Sequence, residues 1–359
     1  MTTPHPARDP SKIRARGSAP ATLSRALAGI VLFAVGFAAV NLAIDAAHRR
    51  EFPSWIQSKF DFFEANMDDF DVVFLGSSYT KRHIDPSVFD RELASNGISI
   101  GSVNLATLGM NVFGSDLLAR RILSLQSKRL KWILIDIGRF GVSFLPGAPY
   151  TDKALWWHTP GQTPAVIRAT FARDKPIEQN LSLAGSHFAH FLWRSAHLGM
   201  GPDRTLEALA RLARSPSDFA PADLLERGFM PHRESQSRRF VKQREEHESL
   251  VREAARAGRW PSRVPDLHLP FLLDQADWIR SKGVEPIYIV PPIMKEFPGV
   301  EDLSSEVHVF RYNDLAKNPQ LFGFEARRDR GHLLEPAAQE YTRLIARDFA
   351  QVYANSKRR

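Results

Sequence analysis

The chain has 359 residues, 43% of them apolar, and no cysteine. Such a chain can bury a sizeable core in one large domain or two modest ones, which excludes an intrinsically disordered protein; the lack of cysteine excludes disulfides and a cysteine nucleophile. The net charge is +8, but residues 1–25 carry five basic residues against one acidic residue, and 357–359 carry three more basic residues. The rest of the chain is nearly neutral, so we do not expect it to bind nucleic acid.

An uncharged apolar run occupies residues 26–44, after a basic N-terminal tail. As a helix, a run of this length spans about 30 Å, the thickness of the hydrocarbon layer of a membrane. Because more basic residues precede the run than follow it, the N-terminus is expected in the cytoplasm and the rest of the chain on the far side. We predict a cytoplasmic tail at 1–25, a transmembrane anchor at 26–47 and a linker at 48–70. A cleaved signal peptide is the alternative.

The stretch DVVFLGSSYT at 71–80 joins a short apolar run to two serines. The run at 72–75 is rich in β-branched and aromatic residues and ends at Gly76, which predicts a buried strand. Ser77 and Ser78 then follow the carboxyl end of that strand, where open α/β sheets bind ligands. The alternative is that these serines only cap the next helix, because serine is a favoured N-cap residue.

Strand and helix signals alternate from residue 71 to residue 138 and again from residue 271 onward. Further strands are predicted at 102–106, 131–138 and 285–292. Segments with helical periodicity separate them, and this alternation predicts an α/β domain at 71–359 with a parallel sheet wrapped by helices. Residues 145–264 lack strand signals and are predicted to form a helical insertion or cap on one side of the sheet.

Asp329 and His332 lie just before the predicted final helix, which begins at Pro336. A serine hydroxyl needs a base to accept its proton as it attacks a carbonyl, and a free imidazole, with a pKa near 6.5, suits that task. A carboxylate three residues before the histidine can turn back to the imidazole and fix its tautomer. The pair is therefore a candidate base and orienting group for the serine.

Other polar residues have weaker signals. His187 and His190 are three residues apart and can share a helix face, but no third ligand of suitable spacing follows, so no metal site is predicted. His83 is expected to be an exposed residue in the helix after the serines. Asp136 lies in a predicted strand, where alternation leaves open whether its side chain points toward the serines.

Three sequence blocks resemble those of the SGNH (GDSL-like) hydrolases. They are FLGSS at 74–78, VNLATLG at 103–109 and D-x-x-H at 329–332, in this order along the chain. The resemblance covers 71–138 and the chain from 271 onward, and leaves out the predicted anchor and insertion. It implies a flavodoxin-like three-layer parallel sheet and a serine-dependent esterase or O-acyltransferase without a cofactor or metal.

The resemblance also implies roles for single residues. Ser78 takes the place of the nucleophile, while Ser77 stands where the family usually has aspartate. Gly109 takes the place of the glycine whose backbone N–H, together with that of Ser78, forms the oxyanion hole. Asn104 is interpreted as a support for the turn near Gly109. Asp329 and His332 complete the implied triad.

The third family block departs from the usual pattern. The family has asparagine two residues after a glycine that here is Gly138, and this position is occupied by Phe140. One side-chain donor to the oxyanion is therefore missing. Loss of such a donor in other enzymes costs about 2.7 to 4 kcal/mol of transition-state stabilisation unless another group substitutes.

A Gly-Ser-Ser block with a degraded third block is similar to exported, membrane-anchored members such as D-alanyl-lipoteichoic acid esterase-like and alginate O-acetyltransferase proteins. The resemblance implies an acyl group, mainly acetyl, on a cell-envelope polymer or exported polysaccharide. It also implies the bacterial inner membrane as location, with the main domain periplasmic or extracellular, and a membrane-bound acyltransferase as partner. The alternative is a catalytically inactive scaffold or polymer-binding component of an export complex.

Overall fold

The computed structural model describes residues 19–47, 52–142, 152–196, 227–264 and 268–357. The chain divides into two compact units, 1–50 and 51–359. In the first unit, helix α1 (Ala19–Ala47) contains the apolar run together with Arg25 and Asp45. Within the described ranges, no helix combines the length and apolar character that crossing a membrane requires, and the transmembrane helix predicted at 26–47 is thus not found.

The second unit is built on a five-stranded sheet in which all strands are parallel. The strands lie in the order β2-β1-β3-β4-β5 and are β1 (Val72–Leu75), β2 (Ser102–Asn104), β3 (Trp132–Asp136), β4 (Glu285–Val290) and β5 (His308–Arg311). The predicted α/β class with a parallel sheet is confirmed. Strand β5 was not predicted from the sequence, because this short edge strand has polar residues at both ends and buries only Phe310.

Helices cover both faces of the sheet. They are α2 (Ser54–Ala65), α3 (Ser78–His83), α4 (Pro86–Ser95), α5 (Val112–Ser124), α6 (Asp152–Leu155), α7 (Gln162–Phe171), α8 (Ile177–Ser195), α9 (Arg238–Val241), α10 (Arg244–Ala257), α11 (Leu269–Arg280), α12 (Val300–Glu306) and α13 (Glu335–Ser356). Helices α2, α5, α7, α11 and α12 contribute to one apolar core, and α4, α10 and α13 contribute to the other. The arrangement is three layers, helices against sheet against helices.

Side-chain alternation along β1 separates the two cores. Val73 and Leu75 enter the first core, whereas Val72 and Phe74 enter the second. All four are fully buried, so a run without polar residues is what a central parallel strand requires. Helix α2 lies in the predicted linker at 48–70 and buries Ile56, Phe60 and Phe63 in the first core.

In the described part of the predicted insertion at 145–264, helices alternate with non-helical segments such as 227–237. Helices α6 to α10 lie in this part of the chain, and residues 143–151 and 197–226 lie outside the described residues. Trp156 and Trp157 belong to the first apolar core rather than to an open surface.

Candidate active site

The turn after β1 places Ser77 and Ser78 at the carboxyl end of the sheet. Gly76 has φ +152°, and an added Cβ would lie 2.5 Å from the Cβ of Asp136. Only glycine fits here, because both the backbone conformation and the close approach exclude a side chain. Ser77 is the N-cap of α3, with its Oγ accepting from the N–H of Tyr79 at 3.3 Å, and Ser78 is the first residue of the helix. Helix capping thus accounts for a serine at position 77 but not for the serine at position 78.

Asp136 fixes the conformation of this turn. Its Oδ2 accepts hydrogen bonds from the N–H and Oγ of Ser77 at 3.2 and 2.8 Å, and from Oγ1 of Thr80 at 3.2 Å. Its Oδ1 accepts from the N–H of Gly138 at 2.6 Å. Burial raises the pKa of Asp136 even though these donors favour the carboxylate. Because β3 lies next to β1, Asp136 at the end of β3 faces the turn. Its side chain therefore points toward the serines, which strand alternation alone could not decide.

Three residues predicted from the sequence meet in a hydrogen-bonded chain. The Nε2 of His332 lies 3.0 Å from the Oγ of Ser78. On the other side of the ring, Nδ1 lies 3.0 and 3.2 Å from the two carboxylate oxygens of Asp329. An ionised Asp329 accepts from Nδ1–H and leaves the Nε2 lone pair directed to Ser78, which is the arrangement that a general base needs.

Asp329 is held in its ionised form by its own loop. Its Oδ1 also accepts hydrogen bonds from the backbone N–H groups of Gly331 and His332, at 2.7 and 2.9 Å. Burial alone raises the pKa of Asp329, but the hydrogen bond and charge of His332, with these two N–H groups, outweigh it and lower the pKa to about 2. The carboxylate therefore carries a negative charge over the whole physiological pH range.

A fully buried arginine supports the same loop from behind. The guanidinium of Arg327 donates to the carbonyl oxygens of Pro292, Leu321 and Arg330, at distances between 2.8 and 3.2 Å. These bonds compensate for the cost of burying a charge, which otherwise is large. Arg327 thus connects the loop before His332 to the end of β4 and was not identified from the sequence.

His83 is buried, contrary to the exposed position expected from the sequence. Its Nε2 accepts a hydrogen bond from the backbone N–H of Leu333 at 2.9 Å, so Nε2 carries no proton. Burial, and then the charges of His332 and Arg327, hold the pKa of His83 well below its usual value. Since His83 ends the helix that Ser78 begins, this bond connects the helix of the serine to the loop of the histidine. The expectation was wrong because α3 is covered by α13.

Gly109, the second predicted donor to the oxyanion, lines the same pocket as Ser78. Both residues line a pocket of about 360 Å³. The backbone reaches this position because the N–H of Thr107 donates to the carbonyl oxygen of Gly76 at 3.0 Å, which continues the ladder between β1 and β2. Phe140, at the position where asparagine was missing, is buried beside Phe113 and does not line the pocket.

Asn104 supports the site from the end of β2. Its Nδ2 donates to the carbonyl oxygens of Thr80 and Ile84, both at 2.8 Å, and its Oδ1 accepts from the N–H of Ala106 at 3.1 Å. It therefore holds α3 as well as the segment that leads to Gly109, which is broader than the turn support expected.

In the predicted insertion, the rings of His187 and His190 both lie close to the ring of His158. His158, His187 and His190 are all buried, and Nε2 of His158 lies 3.0 Å from Nδ1 of His187. The rings of His158 and His187 therefore bond to each other, whereas Nδ1 of His190 lies 2.6 Å from the carbonyl oxygen of Ser186. In the described ranges, no group of three or more histidine, aspartate or glutamate side chains is arranged to hold a metal ion.

Comparison with known proteins does not assign the chain to a family. No protein-family model matches it, and no curated protein matches it either. A functional interpretation therefore depends on the geometry around Ser78, His332 and Asp329.

Proposed function

We propose that the protein is a serine-dependent acyl-ester hydrolase or O-acyltransferase of the SGNH type. The observation that carries this proposal is the continuous hydrogen-bonded path from Ser78 through His332 to Asp329. A path of this kind is recognised by geometry and roles, not by sequence position. The proposed fold is supported by the strand order 2-1-3-4-5, which is that of flavodoxin-like sheets with the ligand site at the carboxyl ends of the strands.

In the first step, Oγ of Ser78 attacks the carbonyl carbon of an ester while Nε2 of His332 accepts its proton. The imidazolium that forms is stabilised by the carboxylate of Asp329, 3.0 Å from Nδ1. When the tetrahedral intermediate collapses, the bond from carbon to the leaving oxygen breaks, and His332 returns the proton to that oxygen. The acyl group remains on Ser78 as an ester.

The negative charge of the tetrahedral intermediate lies on the former carbonyl oxygen and requires hydrogen-bond donors that point at this atom. The backbone N–H groups of Ser78 and Gly109 are the proposed donors, since both residues line the same pocket. Phe140 offers no donor there. Two backbone donors without the third side-chain donor predict a slower enzyme than one with all three.

The second step decides between hydrolysis and transfer. Water as acceptor, activated by His332, releases the acid, whereas a sugar hydroxyl in its place forms a new ester. The proposed substrates are acetyl esters of a cell-envelope polymer or exported polysaccharide, with a membrane-bound acyltransferase as the partner that supplies acyl groups. This assignment rests on the sequence resemblance.

The test is the detection of the acyl-enzyme. The full-length protein is mixed with an activated acetyl ester, and its intact mass and peptides are followed over time, beside Ser78→Ala and the control Ser95→Ala, which changes an exposed serine of α4. We expect an acetyl group on the peptide that contains Ser78 in the wild type and in the control, and none on that peptide in Ser78→Ala.

The second candidate is a catalytically inactive scaffold, which the buried Phe140 favours because it removes a donor from the site. If a folded wild type forms no adduct and turns over no ester, the enzyme proposal is wrong and the scaffold remains. If wild type and Ser78→Ala turn over ester equally, the reaction occurs elsewhere and the proposed nucleophile is wrong.

A further inference from the structure

The pocket beside Ser78 is rich in positive charge. Its lining consists of Ser78, Arg82, Leu108, Gly109, Arg139, His232, Asp329 and His332. Two guanidinium groups thus share this pocket with a single carboxylate. Because arginine stays protonated at all physiological pH values, both charges are permanent.

The carboxylate of Asp329 is bound within its own loop. Asp329 accepts from the ring of His332 and from two backbone N–H groups of its own loop. Arg82 donates one N–H to the carbonyl oxygen of Met230 at 2.9 Å, which helps to hold its side chain at the pocket. In the described parts of the chain, Arg139 makes no ion pair with a carboxylate.

His232 lines the pocket next to His332. Its ring lies 5.4 Å from that of His332, measured between centroids. Burial, and then the charges of Arg82, His332 and Arg328, lower the pKa of His232 to about 4. His232 is therefore uncharged at neutral pH, and the positive charge of the pocket comes from the arginines.

Arg139 owes its position to the same turn that positions Ser78. It follows Gly138, whose N–H donates to Asp136 at 2.6 Å, and Asp136 in turn holds Ser77. The next residue, Phe140, is buried in the first core. The backbone of Arg139 is thereby fixed on both sides, while its side chain lines the pocket.

We propose that Arg139, assisted by Arg82, binds an anionic group of the substrate close to the ester that Ser78 attacks. The planar fork of arginine matches the two oxygens of a carboxylate or a phosphate and binds either in bidentate fashion. A pocket of about 360 Å³ accommodates a sugar-sized group that carries such an anion. This inference rests on the proposed function, since it concerns the substrate of the same serine.

The test compares two esters that differ in charge alone. They are 3-carboxy-4-nitrophenyl acetate and its uncharged amide, 3-carbamoyl-4-nitrophenyl acetate, and the ratio of their kcat/KM values is corrected by their uncatalysed hydrolysis rates. We expect the wild-type protein to prefer the carboxylated ester by about tenfold or more, the gain typical of a hydrogen bond to a charged group. We expect Arg139→Gln to lose this preference, mainly through a higher KM.

A matched control separates the pocket from general charge. Arg252→Gln removes an exposed arginine of α10 that does not line the pocket, and we expect it to keep the wild-type ratio. Arg82→Gln is expected to reduce the preference less than Arg139→Gln.

A second experiment identifies the anionic group that the pocket binds. Turnover of the uncharged amide ester is measured in the presence of methyl glucuronoside, glucose 6-phosphate or the neutral methyl glucoside. Stronger inhibition by the first indicates a carboxylate, and stronger inhibition by the second indicates a phosphate.

Two results would overturn the inference. They are an equal rate for both esters in the wild type and an unchanged preference in Arg139→Gln. If the preference is unchanged because both esters lose activity equally, the arginine is assigned to the oxyanion instead. Turnover of the uncharged ester reports on Ser78 independently of the arginines. Its absence in the wild type would therefore count against the proposed function, whereas its presence without charge selectivity would count only against the anion site.

Discussion

At the scale of single residues, the site depends on a carboxylate that stays charged. Asp329 accepts from Nδ1 of His332 and from two backbone N–H groups, so it both orients the ring and closes its own loop. Orienting the ring and closing the loop are separate functions. A substitution such as Asp329→Asn, which preserves the shape of the side chain, affects them differently.

We predict that Asp329→Asn lowers kcat for ester turnover by about 10³ to 10⁴-fold, because an amide favours the wrong tautomer of His332. Steady-state kinetics with an activated acetyl ester measures the loss. The fold is checked by thermal denaturation of the same sample. A variant that keeps more than a tenth of the wild-type kcat would contradict the role assigned to Asp329.

The same residue makes a pH-dependent contribution to stability. The pKa of Asp329 is about 2 in the folded protein and near 3.9 in an unfolded chain, so the unfolded state binds more protons in acid. Its stabilising contribution is complete above the unfolded pKa and disappears as pH falls toward 2. We therefore expect the Tm difference between wild type and Asp329→Asn to shrink between pH 5 and pH 2.

His83 connects the serine helix to the histidine loop through one acceptor atom. We predict that His83→Phe lowers kcat by about 10 to 10²-fold with little change in KM, since a small displacement of a catalytic group is costly. His83→Gln keeps an acceptor near the position of Nε2 and should restore most of the rate. Equal kcat values for the two variants would show that the bond to Leu333 does not position His332.

At the scale of elements, the turn between β1 and α3 joins a central strand to the helix that begins with Ser78. Gly76 has φ +152° and is in close contact with Asp136 and Thr80. The carboxylate at the end of β3 accepts from the N–H of Ser77, the residue after this glycine, and from the hydroxyl of Thr80 in α3. Two adjacent parallel strands therefore determine the direction of the serine.

We predict that Gly76→Ala lowers the free energy of unfolding substantially more than Gly97→Ala. Both glycines have positive φ, which costs an alanine about 1 to 2 kcal/mol, but an added Cβ has no neighbour within 4 Å at Gly97. The clash at Gly76 adds about 1 to 3 kcal/mol, as overpacking does elsewhere. Urea denaturation of the two variants measures the difference, and equal losses would contradict the close approach.

At the scale of the whole molecule, the protein holds several histidines uncharged inside its helical layers. Burial, with the charges of neighbouring histidines, lowers the pKa of His158 to about 2 and that of His187 to about 4. In an unfolded chain both titrate near 6.5. The unfolded state therefore gains protons first as the pH falls.

We expect the stability of the whole protein to be highest above pH 6.5 and to decrease steadily between pH 6.5 and pH 4. A double variant, His158→Gln with His187→Gln, should show a smaller change of Tm over this range, because the amide side chains do not titrate. The exposed His308 provides the control variant, His308→Gln. A wild-type Tm that is constant from pH 6.5 to pH 4 would contradict this prediction.

Local patterns in the sequence were sufficient to predict the central strands of the sheet. The apolar runs at β1, β3 and β4 stand out because strands buried on both faces admit few polar residues. The edge strand β5 has no such run, and it was not predicted. Export from the cytoplasm remains a prediction from the basic tail and apolar run of the N-terminal sequence.

Sequence patterns alone predicted the α/β class, the parallel sheet, and a serine, a histidine and an aspartate at positions where chain order and spacing made them candidates. Only the tertiary structure brought Ser78 within 3.0 Å of His332, turned Asp136 toward the serine turn and buried His83. It also gathered Arg82 and Arg139 in one pocket. The physical reason is that periodicity reports the local environment of a segment, whereas the direction of a polar side chain depends on strands and helices distant in sequence.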